Sequence, residues 1–155
     1  MKTLIASTLL LTALATNAYA ADTYTFTTAG KATTTVTAVG PAGPVFGGTS
    51  TFENQLVDSS GKKSTAKGTC AAWSAEPGSA LAVHGVCNSE GTDGNANVFF
   101  SCSAADAKTG VGNCWGFLMG TSGKYQGKTG TASWHSKQAA DRKSSAGAGA
   151  IVWND

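Results

Sequence analysis

The sequence predicts an all-β domain: a small antiparallel barrel of eight strands, closed as a meander and stapled by disulfides. Three observations carry that expectation. No window places apolar residues at helical spacing over three turns without a glycine, a proline or a run of threonine and valine, so an amphipathic helix of ordinary length has no support. Short stretches of β-branched and aromatic residues recur instead, divided by turn signals. Composition points the same way. Charged residues are 13% of the chain, about half the average share, and 20 of the 155 residues are glycine, near twice the usual share.

Taken in order, the chain opens with one basic residue, Lys2, an apolar run over 4–15 and then Ala18-Tyr19-Ala20. This is the pattern of a secretory signal peptide over 1–20, cleaved after Ala20. The apolar run is shorter than the roughly 20 residues that span a bilayer. The expected product is a single domain over 21–155, periplasmic or secreted, with no membrane span. Strands are expected at 24–28, 32–39, 49–56, 64–74, 80–87, 96–103, 113–119, 124–134 and 146–153, eight or nine in all. Turn chemistry lies between them in Ser59-Ser60-Gly61-Lys62, Glu76-Pro77-Gly78-Ser79, Thr92-Asp93-Gly94-Asn95 and Thr121-Ser122-Gly123-Lys124. Pro77 presets the dihedral of a type II turn and Gly78 supplies its positive φ. The one helix candidate, 136–143, is too short to stand alone and is expected to be a charged loop or a single turn. So many hairpin-linked strands close into a small barrel whose bends use glycine; a β-sandwich is the alternative.

Cys70, Cys87, Cys102 and Cys114 are an even number in a chain expected to enter an oxidising compartment, so two disulfides are predicted. A metal site is not expected, because no C-x-x-C pair occurs and the only histidines are His84 and His135. A hairpin centred on Pro77-Gly78 sets Trp73 opposite Ala82, with Cys70 diagonal to Cys87. Folding about Gly94-Asn95 sets Cys87 opposite Cys102, and folding near Lys108 sets Cys102 opposite Cys114. All four sulfurs then share one face. Two pairings fit: Cys70–Cys87 with Cys102–Cys114, favoured because each bond staples one hairpin, or Cys87–Cys102 with Cys70–Cys114. The other face carries Trp73, His84, Val86, Phe99, Ser101, Trp115, Phe117, Met119 and Tyr125. It is the more aromatic face, and it is expected to form the barrel interior, where such folds hold a ligand.

The stretch 51–70, TFENQLVDSSGKKSTAKGTC, and the stretch 120–134, GTSGKYQGKTGTASW, resemble the two recurrent signatures of the allene oxide cyclase-like and dirigent-like barrels. The second is a glycine-spaced hairpin, here Gly120, Gly123, Tyr125, Gly127 and Gly130, with Thr121-Ser122 loosening its start. The resemblance implies an eight-stranded antiparallel barrel with an apolar cavity, often assembled into oligomers, so a homo-oligomer is open here. It also implies chemistry that needs no cofactor, such as rearrangement of a fatty-acid epoxide or steering of phenoxy coupling. The proline and acidic positions of those cavities have no visible counterpart in this sequence, so no catalytic residue is carried over.

Read from the residues, the chemistry on offer is sparse. His84, expected on the Trp73 face, is a candidate general acid or base because imidazole titrates near neutrality. Glu53, drawn opposite Lys67, and Tyr125 are its candidate proton-transfer partners; surface pairing with Lys67 is the plainer reading of Glu53. Trp73, Phe99, Ser101, Trp115 and Phe117 are the candidate ligand contacts, whereas Trp134 and Trp153 are expected to fill the core. Without its leader the chain carries 10 Lys and Arg against 9 Asp and Glu, a balance that excludes nucleic-acid binding by phosphate neutralisation. No nucleophile elbow and no Walker or dinucleotide fingerprint occurs. The expected function is binding of a small apolar or phenolic molecule without a cofactor. A cofactor-free isomerase or cyclase and a filled structural barrel are the alternatives.

Overall fold

The computed structural model describes residues 21–41, 43–75, 79–141 and 143–154. The leader expected over 1–20 and the turn at Pro77-Gly78 lie outside them. Eight strands run in order round a closed barrel: β1 (Asp22–Gly40), β2 (Gly43–Asp58), β3 (Lys63–Ser74), β4 (Leu81–Gly91), β5 (Asn95–Ser103), β6 (Val111–Gly120), β7 (Thr129–Gln138) and β8 (Ser144–Asn154). Each is antiparallel to the next, and β8 closes the ring by pairing with β1 from Asp22↔Trp153 to Lys31↔Ser144. Among the described residues no helix is long and apolar enough to cross a membrane.

Local sequence explains the elements. Along β3 exposure alternates residue by residue from Lys63 to Ser74, the period of a strand with one inward and one outward face. The β2–β3 turn is held by Asp58, whose Oδ1 accepts from the backbone N–H of Ser60 and of Lys62, both at 2.9 Å. The β5–β6 loop repeats the device with Asp106, which accepts from the Thr109 N–H at 2.8 Å and the Lys108 N–H at 3.0 Å. These are the local side-chain bonds that make aspartate a turn residue. They hold both carboxyls below the ordinary range, led at Asp58 by the Ser60 hydroxyl and at Asp106 by the Thr109 N–H.

Two strand expectations are corrected. The stretches 24–28 and 32–39 form one long strand, β1, with its register shift against β2 between Ala32 and Thr34 instead of a turn. The stretch 124–134 is not all strand. Gly123–Tyr125 is a 3₁₀ turn and β7 starts at Thr129. Glycine makes that turn possible, since Gly123 sits at φ +62 and a Cβ at Gly120 would collide with the Tyr125 carbonyl. The helix candidate begins within β7, which runs to Gln138.

Two registers also differ from expectation. Trp73 faces His84, and Cys70 lies directly opposite Cys87. The β4–β5 hairpin turns at Thr92-Asp93, closed by mutual backbone bonds of Gly91 and Gly94 at 3.1 and 3.2 Å, so Cys87 faces Val98 and not Cys102. Cys102 opposite Cys114 stands as expected. Both shifts are even, so the four sulfurs keep one face. The disulfides are Cys70–Cys87 and Cys102–Cys114, one across each of two hairpins.

The core sits at one end of the barrel. Tyr24, Phe26, Leu56, Leu118, Tyr125, Ile151 and Trp153 pack there into a floor. Tyr125 stacks on Trp153 with ring centroids 4.4 Å apart and meets Tyr24 edge-on at 6.2 Å. Lys124 pins this floor from outside, donating to Tyr24 Oη at 3.1 Å and pairing with Asp22 at 3.2 Å.

Candidate functional site

Above the floor the lumen is open. A cavity of about 790 Å³ runs up the barrel, lined by Phe26, Phe52, Leu56, Phe100, Leu118, Trp134, Ile151 and both disulfides. That volume lies within the range of pockets for drug-sized ligands. The polar lining is mostly hydroxyl. Thr35, Thr37, Ser103, Ser136 and Ser145 stand toward the end away from the floor, while Ser64, Ser89 and Thr92 stand lower on the β3–β4 side. Among the described residues that line it, Asp93 alone carries a charge. The site therefore favours an uncharged guest, because an anion would find no counter-charge and Asp93 is already paired with Lys62 at 3.1 Å.

One polar atom in this lining lacks a partner. Asn54 Oδ1 is buried without a hydrogen bond. The atom is shut off from the open lumen as well, so Asn54 can offer this acceptor to a guest or a water only after its side chain turns inward. At the floor, burial pushes the Tyr125 phenol well above its ordinary range, helped by its hydrogen bond with Tyr24 and by the charges of Asp93 and Asp22. Tyr125 thus presents the lumen with a neutral phenol. The bonds of Lys124 to Tyr24 and then to Asp22 raise its amine against the opposing effect of burial.

The expected inside and outside are reversed. Trp73, Phe99, Trp115, Phe117 and Met119 are 51%, 47%, 46%, 45% and 47% exposed, and none lines the cavity. His84 and Ser101 share their outer face, with His84 Nδ1 2.9 Å from Ser101 Oγ and the imidazole 6.4 Å from the Trp73 ring. The inner face is the cysteine face. Of the expected aromatic set only Tyr125 lines the lumen, because it stands on a turn and escapes the strand alternation. Glu53 is exposed and faces Lys67 in register, as drawn, and Lys67 in turn faces Glu90. His84, Glu53 and Tyr125 are therefore not brought together: the first two lie outside the barrel and the third at its floor. Trp153 is buried at 3% exposure and Trp134 packs on the same core.

The cavity residues that sequence reasoning passed over are Phe26, Phe52, Phe100 and Asn54. A signal for them exists in the parity of the glycines. Gly68, Gly85, Gly116, Gly130 and Gly149 all share the cysteine side of their strands. A Cβ there would meet a neighbouring backbone or ring. Close approach of that kind marks the concave side of a tightly curved sheet.

No family model matches the chain, and no curated protein matches it either. The likeness to the allene oxide cyclase-like and dirigent-like barrels rests on the residues quoted above. No group of three or more potential metal-binding side chains is gathered among the described residues.

Proposed function

We propose that this barrel is an exported carrier that holds one small, uncharged, apolar or phenolic molecule in its lumen. The observation that carries the reading is the cavity of about 790 Å³, walled by phenylalanine, tryptophan, leucine and cystine, with a single charged residue among the described residues of its lining. The guest's apolar body would lie against Phe26, Leu118 and Ile151, and a hydroxyl would donate to Asn54 Oδ1 once that buried side chain turns toward the lumen. Two disulfides and the leader pattern of 1–20 support export, since such bonds persist in oxidising compartments. The resemblance carried by 51–70 and 120–134 supports an apolar cavity of this kind. Outward Glu53, Lys67 and Glu90 on β2 to β4 interrupt the continuous apolar belt that a transmembrane barrel turns to lipid.

The test is native mass spectrometry of the purified protein, followed by titration with a homologous series of 4-alkylphenols read by tryptophan fluorescence, to which Trp134 in the cavity wall contributes. Each added methylene should tighten binding about fourfold until the chain reaches the end of the lumen. Asn54→Leu should weaken the alkylphenols about tenfold and leave alkylbenzenes unchanged. Absence of any adduct together with no dependence on chain length would sink the proposal.

A further inference from the structure

The outer face of β3 to β8 is built as a surface that expects cover. In register, Trp73, His84, Ser101 and Trp115 form one row across four strands. The next row is Ala71, Val86, Phe99, Phe117, Thr131 and Val152, and Met119 follows beside Asn97. No lysine, arginine, aspartate or glutamate stands in these rows. Four aromatic side chains and a methionine, each about half exposed, thus sit side by side on a convex sheet.

We propose that this face docks a second copy of the chain, the two sheets meeting face to face about a two-fold axis. Area is the first argument. An aromatic side chain carries roughly 150–250 Å², so half-exposure of four of them gives about 400 Å². Met119 and Val152, the latter 36% exposed, bring the apolar patch to about 500 Å². A standard interface buries about 800 Å² per partner, and at the roughly 65% apolar content of homodimers that is about 520 Å² of apolar surface. The patch supplies what one half of such a dimer needs, and it stands at the upper end of what monomers leave exposed.

Charge is the second argument. A two-fold contact sets the same patch against itself, so any charge on it would meet its like; this patch has none, and its one titratable group is His84. The neighbouring groups that face His84 are Ser101 at 2.9 Å and Trp73, neither charged. A membrane-docking face would instead carry lysine or arginine for anionic headgroups, and a charged protein partner would find no counter-ion here. The proposal holds whatever the lumen binds.

Sedimentation velocity of the purified, oxidised protein from about 1 to 100 µM tests it, the range in which an interface of this size is populated. The expected result is a dimer whose dissociation constant rises about 30-fold or more in Phe117→Lys and in Trp115→Lys, with Lys67→Ala, outside the rows, unchanged. Both lysine variants point outward, and an unshifted melting curve shows that they fold. A wild-type protein that stays monomeric throughout overturns the proposal, as does a dimer that both variants leave intact. Binding of the monomer to anionic phospholipid vesicles, lost in Phe117→Lys, would assign the face to lipid and overturn it as well.

Discussion

Removal of the disulfides gives the sharpest test of how this barrel is held together. Each bond joins two residues directly opposed across one hairpin, with sequence separations of 17 for Cys70–Cys87 and 12 for Cys102–Cys114. Both line an open lumen, so replacing a pair by alanine leaves little packing to collapse, and the loss is dominated by the freedom returned to the unfolded chain. Loop closure at these lengths is worth about 3 kcal/mol for each bond. The two loops neither overlap nor nest, so the effects should add to about 6 kcal/mol, a large part of the 5–15 kcal/mol of a typical domain. For a domain of about 135 residues the unfolding entropy converts 3 kcal/mol into a Tm loss of about 10 °C, and both pairs into about 20 °C. Circular dichroism melts of Cys70→Ala/Cys87→Ala, Cys102→Ala/Cys114→Ala and the fourfold variant near neutral pH read these values. A fourfold variant within about 5 °C of wild type would refute the reasoning, because it would place the stability in the floor and not in the staples.

Two further outcomes follow from named side chains. Stability should fall at both ends of the pH range. Tyr125 and Lys124 are raised above their ordinary 10.0 and 10.5, so their contribution is complete below about pH 10 and is lost as pH climbs through the folded values. Asp58 and Asp106 are lowered below 3.8, so theirs is present above 3.8 and lost as pH drops through the folded values. Melting temperature against pH should show a flatter alkaline limb in Tyr125→Phe and a flatter acid limb in Asp58→Asn/Asp106→Asn; unchanged limbs would contradict the assignment. The adjacent pair Phe99 and Phe100 should separate the two surfaces. Phe99→Lys, outward, should break self-association and leave ligand occupancy, while Phe100→Ala, in the cavity wall, should weaken ligand and leave assembly. Sedimentation and native mass spectra of both variants read the difference, and a single variant that disturbs both would count against it.

The barrel was legible because its signals are local. Strand alternation, the glycine-bearing turn signals and the hairpin spacing of the cysteines each act within about twenty residues, and they sufficed to divide the chain into hairpins. Registers slipped where the turn was placed by its strongest dipeptide. The β4–β5 hairpin pivots on Thr92-Asp93, with Gly94 after the pivot, and not on Gly94-Asn95. Because an even slip preserves faces, the division of residues into two sets survived, with Trp73, His84, Phe99 and Phe117 together and the four cysteines together. Which set turns inward was not legible from bulk. Aromatic weight marks the interior in a flat packed sheet, but a closed sheet of eight strands crowds its concave side and spreads its convex one. Gly85, inward, has the Phe100 ring 2.5 Å from where a Cβ would stand, whereas Phe99 beside it on the outside has room to spare.

The same alternation accounts for the cavity and for the outer patch. Along β3, β4 and β6 the inward positions are held by small residues: Gly68, Cys70 and Ala72; Gly85, Cys87 and Ser89; Gly112, Cys114 and Gly116. Side chains of that size cannot fill a lumen eight strands wide, so it stays hollow above the Tyr24, Tyr125 and Trp153 floor, and the cystines brace walls that no packed core supports. The apolar mass of β5 and β6 is then carried outward by Phe99, Trp115, Phe117 and Met119, where it lies half exposed. A barrel left hollow in this way loses interior burial and must recover it from elsewhere. Disulfides reduce the need through the unfolded state, and a neighbour laid over the outer face would reduce it further through the folded one.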